Sequence, residues 1–351
     1  MSFILRNPIP NFGERNDKMT STTNYQINLP GLPDSWNRLS SEELEEVNRL
    51  YLKRMAQAAA GDEQQADRVY KLKCFMLFLD LKVIRRTLTD EKGDTVFLFR
   101  RKGLRHLFER IPLRAWQVDQ WISQRLGYLD EPFGRTVTPY GIIRLRMGTL
   151  RLKAPGDVML NVSFGQYQSA QNLLIMYWDT EKVLQTLLRR NSSRAAVRMQ
   201  KRRMRDIRCQ FLAALFNESV RETGEIREGR YLRKYSRRVW AFYSGQIRKN
   251  ARWFRPVESR MFPVMVQYFQ SVQESYARMY PELFTPNGKK PGRQNPIKIE
   301  VEMVNNVMKY QGFDDYDAVY DSEAVRILGI MNAMAKEAKE IKEMNQRYKA
   351  K

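Results

Sequence analysis

From Ser40 onward, apolar residues return every three or four positions along most of the chain, the spacing of helices with one buried side. Leu44, Val47, Leu50, Tyr51 and Met55 mark the first such face. Ser40 stands at its N-cap, Glu43 completes a capping box, and Leu39 with Leu44 are placed to staple the entry. Glu42, Glu43, Glu45 and Glu46 fall in the first turns, where they complement the helix dipole, so no catalytic role is needed to explain them. A second helix is expected over roughly Glu63–Leu81; near Cys74–Leu79 it is apolar on every side, which makes it central to a core.

The period then shortens. Thr87–Thr89 and Thr95–Phe99 flank the polar run Asp90–Asp94, a hairpin pattern with Gly93 in the turn. Trp116, Trp121 and Ile122 belong to a short helix ending near Gly127. Pro132, Gly134, Pro139, Gly141, Gly148, Pro155 and Gly156 punctuate a loop-rich stretch, with short strands expected at Ile142–Leu145 and Leu150–Leu152.

Gln166–Thr223 holds 58 consecutive residues without Gly or Pro, which predicts a long helical spine. Ser163 and Gln166 form a second capping box, and Tyr167, Ala170, Leu174 and Tyr177 supply an apolar face. Asp179 and Thr180 read as a break and a new cap, before a helix carrying Val183, Leu184, Leu187 and Leu188. Farther on, Arg194, Arg198, Lys201, Arg205 and Arg208 fall on one stripe, and Val197, Met204, Ile207, Phe211 and Leu215 on another beside it. Gly224–Gly229 reads as a polar turn, and Tyr231–Gln246 as a basic, aromatic helix. Helices are also expected at Met261–Tyr280, with Val264, Tyr268, Val272 and Tyr276 inward, and at Val301–Tyr310, with a proline-marked loop at Phe284–Pro296 between them. After an acidic loop at Asp314–Asp321 comes a last helix, about Ser322–Tyr348, with a seam of Val325, Leu328, Met331, Ala335, Ala338 and Ile341. Its outer positions alternate Lys and Glu, as in an exposed or coiled-coil helix.

The expected fold is therefore mainly α: a multi-helix protein with a small β-hairpin and a long terminal helix. It divides into an extended N-terminal arm at 1–35, a helical domain with the hairpin at 36–188, a basic helical segment at 189–260 and a C-terminal helical region at 261–351. Hydrophobic content of 43% suits a packed protein and argues against wholesale disorder.

Charge changes the picture. The formal net charge is +22, and residues 189–260 alone hold 21 Lys or Arg against 6 Asp or Glu. A surplus so concentrated points to a local acidic partner. Cys74 and Cys209 lie in predicted helices and form no spaced pair, which fits a reducing compartment. Neither a signal peptide nor a membrane-length apolar run is visible, so no membrane partner is expected.

Candidate chemistry is sparse. His106, beside Arg105, Phe108 and Arg110, shows in the sequence no identifiable positioned partner for a general base and reads as a surface or packing residue. No HExxH, zinc spacing, histidine-bearing triad, GxxxxGK[ST] or strand-following GxGxxG occurs. Asp314, Asp315, Asp317, Asp321 and Glu323 lack the EF-hand glycine and terminal glutamate spacing and read as a solvated loop that caps the last helix with Asp321 or Ser322. Glu337–Lys339 and Glu340–Lys342 resemble a nuclease ExK only superficially, since they sit on a charged helix. No catalytic residue, metal site or cofactor is expected. The binding candidates are Arg194, Arg198, Lys201, Arg202, Arg205, Arg208, Arg233, Lys234, Arg237 and Arg238, which suit phosphates or carboxylates. Trp240 and Trp253 are candidate stacking platforms, though large aromatics serve first as the apolar sides of helices.

Several landmarks form a pattern: Leu32–Ser40, Leu129-Asp130-Glu131-Pro132, Phe164-Gly165-Gln166-Tyr167 with Asn172-Leu173 and Tyr177, and Tyr280-Pro281-Glu282-Leu283-Phe284. Together they resemble a loosely defined set of prophage and mobile-element proteins encoded near tail genes, over residues 29–188 and more weakly 251–348. The resemblance implies a non-enzymatic tail-assembly or virion-associated helical protein, in the host cytoplasm or the particle, whose partners are phage structural or assembly proteins. The basic segment at 189–250 departs from that pattern. Protein docking is thus the first expectation and sequence-independent nucleic-acid binding the alternative, with oligomeric state left open.

Overall fold

The computed structural model describes residues 3–5, 25–27, 32–89, 95–145, 150–228, 231–242, 244–284 and 296–349. The protein is mainly α, as expected, and its chain divides into two compact units after Gly134.

In the first unit, β1 (Phe3–Leu5) and β2 (Tyr25–Ile27) pair antiparallel within the expected arm. Helix α1 (Ser41–Ala58) starts where the capping box places it: the Glu43 amide donates to Ser40 Oγ at 3.2 Å, and the Ser40 amide to the Glu43 carboxylate at 2.7 Å. Leu44, Val47 and Leu50 are buried, but Tyr51 and Met55 are 37% and 51% exposed, so the inward face is narrower than the pattern suggested. Asp62 caps α2 (Glu63–Phe78), which ends three residues early. Asp80 takes a φ of 53°, a left-handed conformation that Asp tolerates better than most residues, and its carbonyl accepts the Lys102 amide at 2.9 Å. Leu81 thereby opens a strand and does not close the helix.

Strands β3 (Leu81–Thr89), β4 (Thr95–Arg101) and β5 (Ile111–Arg114) form an antiparallel sheet in that order, followed by α3 (Ala115–Arg125). The predicted hairpin is present, with Thr89 opposite Thr95; its turn at Asp90–Asp94 lies outside the described residues. Tyr70, Cys74 and Phe75 of α2 share a core with Phe99, Ile111, Leu113 and Val118.

The second unit contains β6 (Ile142–Leu145) and β7 (Leu150–Lys153), both close to expectation. Helix α4 (Phe164–Arg189) begins at the Ser163–Gln166 capping box and runs unbroken through Asp179 and Thr180. The expected break is absent because Thr180 is buried and its carbonyl accepts Gln200 Nε2 of the next helix at 3.1 Å, while Asp179 is held by Lys182 at 3.4 Å. The reversal lies at Asn191, with φ 48°, and Ser193 caps α5 (Arg194–Leu215).

The spine ends at Leu215, eight residues before Thr223. Strands β8 (Asn217–Glu228) and β9 (Tyr231–Ala241) replace both the rest of the expected helix and the basic helix at Tyr231–Gln246. They form an antiparallel ribbon from Glu218↔Ala241 to Glu228↔Tyr231, joined to β7 at Asn217 and Glu218. The correction has a local reason: Tyr231, Tyr235, Val239 and Trp240 favour strands, and Gly224 weakens a helix.

Helices α6 (Ile247–Phe254), α7 (Glu258–Met279) and α8 (Pro281–Phe284) follow. Val264, Tyr268, Val272 and Tyr276 of α7 are fully buried, as predicted. The Tyr268 hydroxyl donates to the Gly156 carbonyl at 2.5 Å and accepts the Met159 amide at 3.2 Å; Tyr276 donates to the Val158 carbonyl at 2.6 Å. These bonds hold Val158 and Met159 at φ 52° and 56°, which a β-branched residue rarely adopts.

Beyond Phe284, the expected loop lies largely outside the described residues. Helices α9 (Pro296–Gln311), α10 (Tyr316–Asp321) and α11 (Ala324–Lys349) complete the unit. The acidic stretch expected as a loop is thus mostly the short helix α10, and Asp315 caps it by accepting the Ala318 amide at 2.6 Å. Phe164 N to Ser322 O at 2.7 Å and Ala324 N to Val162 O at 2.9 Å tie the start of α4 to the start of α11. Gly165 permits this approach, since a Cβ there would stand 3.3 Å from the Tyr320 carbonyl. Ala324, Ile327 and Leu328 are buried, whereas Ile341 on the predicted seam is 54% exposed.

Candidate functional site

Helix α5 positions the basic face. Its apolar side is fixed in the core: Met204, Ile207, Phe211 and Leu215 are buried, and Phe211 meets Phe262 and Phe269 of α7 at ring distances of 5.5 and 5.7 Å. A helix locked on that side turns its opposite side to water. Arg194, Arg198, Lys201, Arg202, Arg203 and Arg205 are exposed. From Arg194 to Arg205 the row extends about 17 Å at about 1.5 Å per residue.

The stripe is not uniform. Glu258, buried at the start of α7, lies 3.1 Å from Arg205 Nε and 3.2 Å from Arg208 Nε. Arg205 also donates to the Arg255 carbonyl at 2.9 Å, and the Arg255 guanidinium reaches Asp206 at 3.4 Å. Arg205 and Arg208 therefore hold α5 against the α6–α7 junction, and their charge is partly spent on Glu258. Sequence periodicity put them on the stripe but could not show this acid, 50 residues away. What remains exposed of the stripe is its N-terminal two-thirds, Arg194, Arg198 and Lys201, with Arg202 beside it; Arg203 is exposed on another side of the helix.

Helix α6 adds exposed Arg248, Lys249 and Arg252, with Arg255 just after it. The Arg252 guanidinium lies 4.5 Å from the Trp253 ring centroid, and that indole is half-buried, so Trp253 is engaged within the protein and is not an open stacking platform. Arg233, Lys234, Arg237, Arg238 and Trp240 lie on β9, not on the expected helix; their side chains are outside the described residues. By backbone register, Arg238 stands opposite Arg221, and Arg237 opposite Glu222.

The chain matches no family model, no curated protein and no solved structure. The likeness to tail-region proteins thus rests on its short motifs alone.

A rival site lies in the first unit. A cavity of about 350 Å³ is bordered by Asp67, Arg68, Lys71, Asp119 and Asp130. Its charges are matched internally: Lys71 reaches Asp130 at 2.7 Å and Asp67 at 2.9 Å, Arg68 reaches Asp119 at 2.6 Å, and Arg54 reaches Asp67 at 3.0 Å. Burial pulls the Lys71 pKa down, and the Asp130 and Asp67 carboxylates more than offset it, so the ammonium is held above its ordinary range. A lysine so held is a poor nucleophile or base.

His106 pairs with Glu109 at 3.0 Å on an exposed turn. Among the described residues, no group of three His, Cys, Asp or Glu could hold a metal ion, and no helix is long and apolar enough to cross a membrane. Both cysteines are free and buried. Burial pushes the Cys74 thiol up to about 12 and the Cys209 thiol up to about 11, which leaves little thiolate for reaction near neutral pH.

Proposed function

We propose that this protein binds the backbone of nucleic acid, without sequence preference and without catalysis, through the solvent side of α5 and the adjoining end of α6. The observation that carries this reading is the row Arg194, Arg198, Lys201 and Arg202, exposed on a helix whose far side is core. Two acids next to α5's cations, Asp206 and Glu258, are already paired. Met199, at 68%, is the one large apolar side chain exposed on α5 among the described residues. Protein-docking surfaces concentrate aromatic and apolar groups at their centres and are poor in charge there. A face of guanidinium and ammonium groups without such a centre suits a regular array of phosphates better.

The tail-region motifs support a second reading, docking of the same face on an acidic structural or assembly protein, in the host cytoplasm or a particle. One experiment separates the two. Arg194, Arg198, Lys201 and Arg202 are replaced together by Glu, and binding to unrelated duplex and single-stranded sequences is compared with wild type. Wild-type binding indifferent to sequence and lost in the folded variant supports the nucleic-acid reading. Absence of wild-type binding, with retained capture of polyglutamate, moves the assignment to an acidic protein. Incubation with magnesium is expected to leave the nucleic acid uncut.

A further inference from the structure

We propose that the uncovered half of α11 is a self-association surface, forming a parallel two-stranded coiled coil with the same helix of a second copy. The helix begins in the core, where Ala324 and Ile327 are completely buried, but every residue from Lys336 to Tyr348 is exposed. Lys339 reaches Glu282 at 3.1 Å, and the Tyr310 hydroxyl donates to Glu337. The next ten residues, Glu340–Lys349, continue as helix for about 15 Å at about 1.5 Å per residue. A free helix of that length is marginal in water, and this one nevertheless presents Ile341, Met344 and Tyr348 at 54%, 51% and 79% exposure. Among the described residues these large apolar groups are left half or more exposed, and such a strip calls for a partner.

The pattern identifies the partner as the same helix. Met331, Met334, Ala338, Ile341, Asn345 and Tyr348 alternate at steps of three and four, the seven-residue repeat of a coiled-coil seam. All six are at least partly exposed. Asn345 occupies a seam position equivalent to Met331 and Ala338, where an amide is satisfied across a two-fold axis by its own copy and fixes a parallel register. Glu337 and Lys342 flank the seam five residues apart, so in a parallel pair each Glu337 faces Lys342 of the second copy, twice per dimer. From Lys336 to Glu343 the helix carries three Lys and three Glu, a neutral balance that gives no attraction to a strongly charged surface but matches its own copy.

The test is sedimentation equilibrium of the full chain. Wild type is expected to dimerise reversibly in the micromolar range. Ile341→Lys should give a folded monomer, because Ile341 is exposed within the chain. Glu337→Lys and Lys342→Glu should each weaken the dimer by about tenfold or more, through like charges across the seam. Mixing these two variants should restore a heterodimer, and combining both changes in one chain should restore the homodimer; disturbance of the Tyr310 contact alone would not be reversed in this way. A wild type that stays monomeric through tens of micromolar overturns the proposal, as does a dimer indifferent to Ile341→Lys or charge variants that fail to complement each other.

Discussion

Orphaning Glu258 is the sharpest test of how the basic helix is held. The carboxylate is 5% exposed and faces two guanidinium groups, Arg205 at 51% and Arg208 at 28% side-chain exposure. Removing one cation leaves the other in place. Arg205→Ala should therefore cost about 1 kcal/mol, since a half-exposed pair is screened by water. Arg208→Ala should cost about 2 kcal/mol, because its ion pair with Glu258 is better shielded from solvent than that of Arg205. The double variant leaves a buried carboxylate without a cation, for which the cost is about 3–5 kcal/mol; the exposure of Arg205 places the expectation near the lower end. Glu258→Gln in the double background should recover part of the loss, because an amide needs no counter-charge. Urea unfolding gives the global change, and hydrogen exchange of α5 and α7 amides assigns it to the second unit, a necessary step in a chain of two units. A double variant within about 0.5 kcal/mol of wild type, with normal α5 protection, would refute the anchoring role.

Other expectations follow from the same geometry. Ser163→Ala removes the cap of α4 and should lower stability by about 1 kcal/mol in urea titration, with a similar loss for Ser40→Ala at α1. Tyr268→Phe strips both the Gly156 carbonyl and the Met159 amide of a partner and should cost about 1–3 kcal/mol by thermal or urea unfolding; Tyr276→Phe, which removes one bond, should cost less. The two thiols, raised from an ordinary 9.0 to about 12 and about 11, stay protonated when folded while the unfolded chain ionises. Their contribution is full below pH 9 and is lost as pH climbs toward those values, so stability of a Cys74→Ala, Cys209→Ala variant should fall less steeply with pH over that window.

Much of the helical framework was legible because capping boxes and apolar periodicity are local signals. Ser40 with Glu43 and Ser163 with Gln166 start helices where they should, and Val264, Tyr268, Val272 and Tyr276 face inward. The differences come from long-range packing, joined at Tyr231–Ala241 by a local strand preference. Asp179 and Thr180 look like a cap until Gln200 takes the Thr180 carbonyl and Thr180 becomes buried. Tyr231–Ala241 has the charge of the preceding helix and apolar residues at Tyr231, Leu232, Tyr235, Val239 and Trp240, a spacing that also suits a helix; its pairing with Asn217–Glu228 makes it a strand, and the absence of Gly and Pro through Thr223 masked the switch. At the candidate site the row from Arg194 to Lys201 could be read directly, while the diversion of Arg205 and Arg208 to Glu258 needed the packing of α5 on α7.

The central claim is that exposed α5 cations, not the anchored ones, neutralise phosphates. The direct measurement is the salt dependence of duplex affinity for wild type and for a variant with Arg194, Arg198, Lys201 and Arg202 all changed to Gln. If all four contact phosphates, the log–log slope should become shallower by about 3–4, at about 0.9 per phosphate, with affinity lost alike on unrelated sequences and the helical signal unchanged. An identical slope in the two proteins would contradict the account.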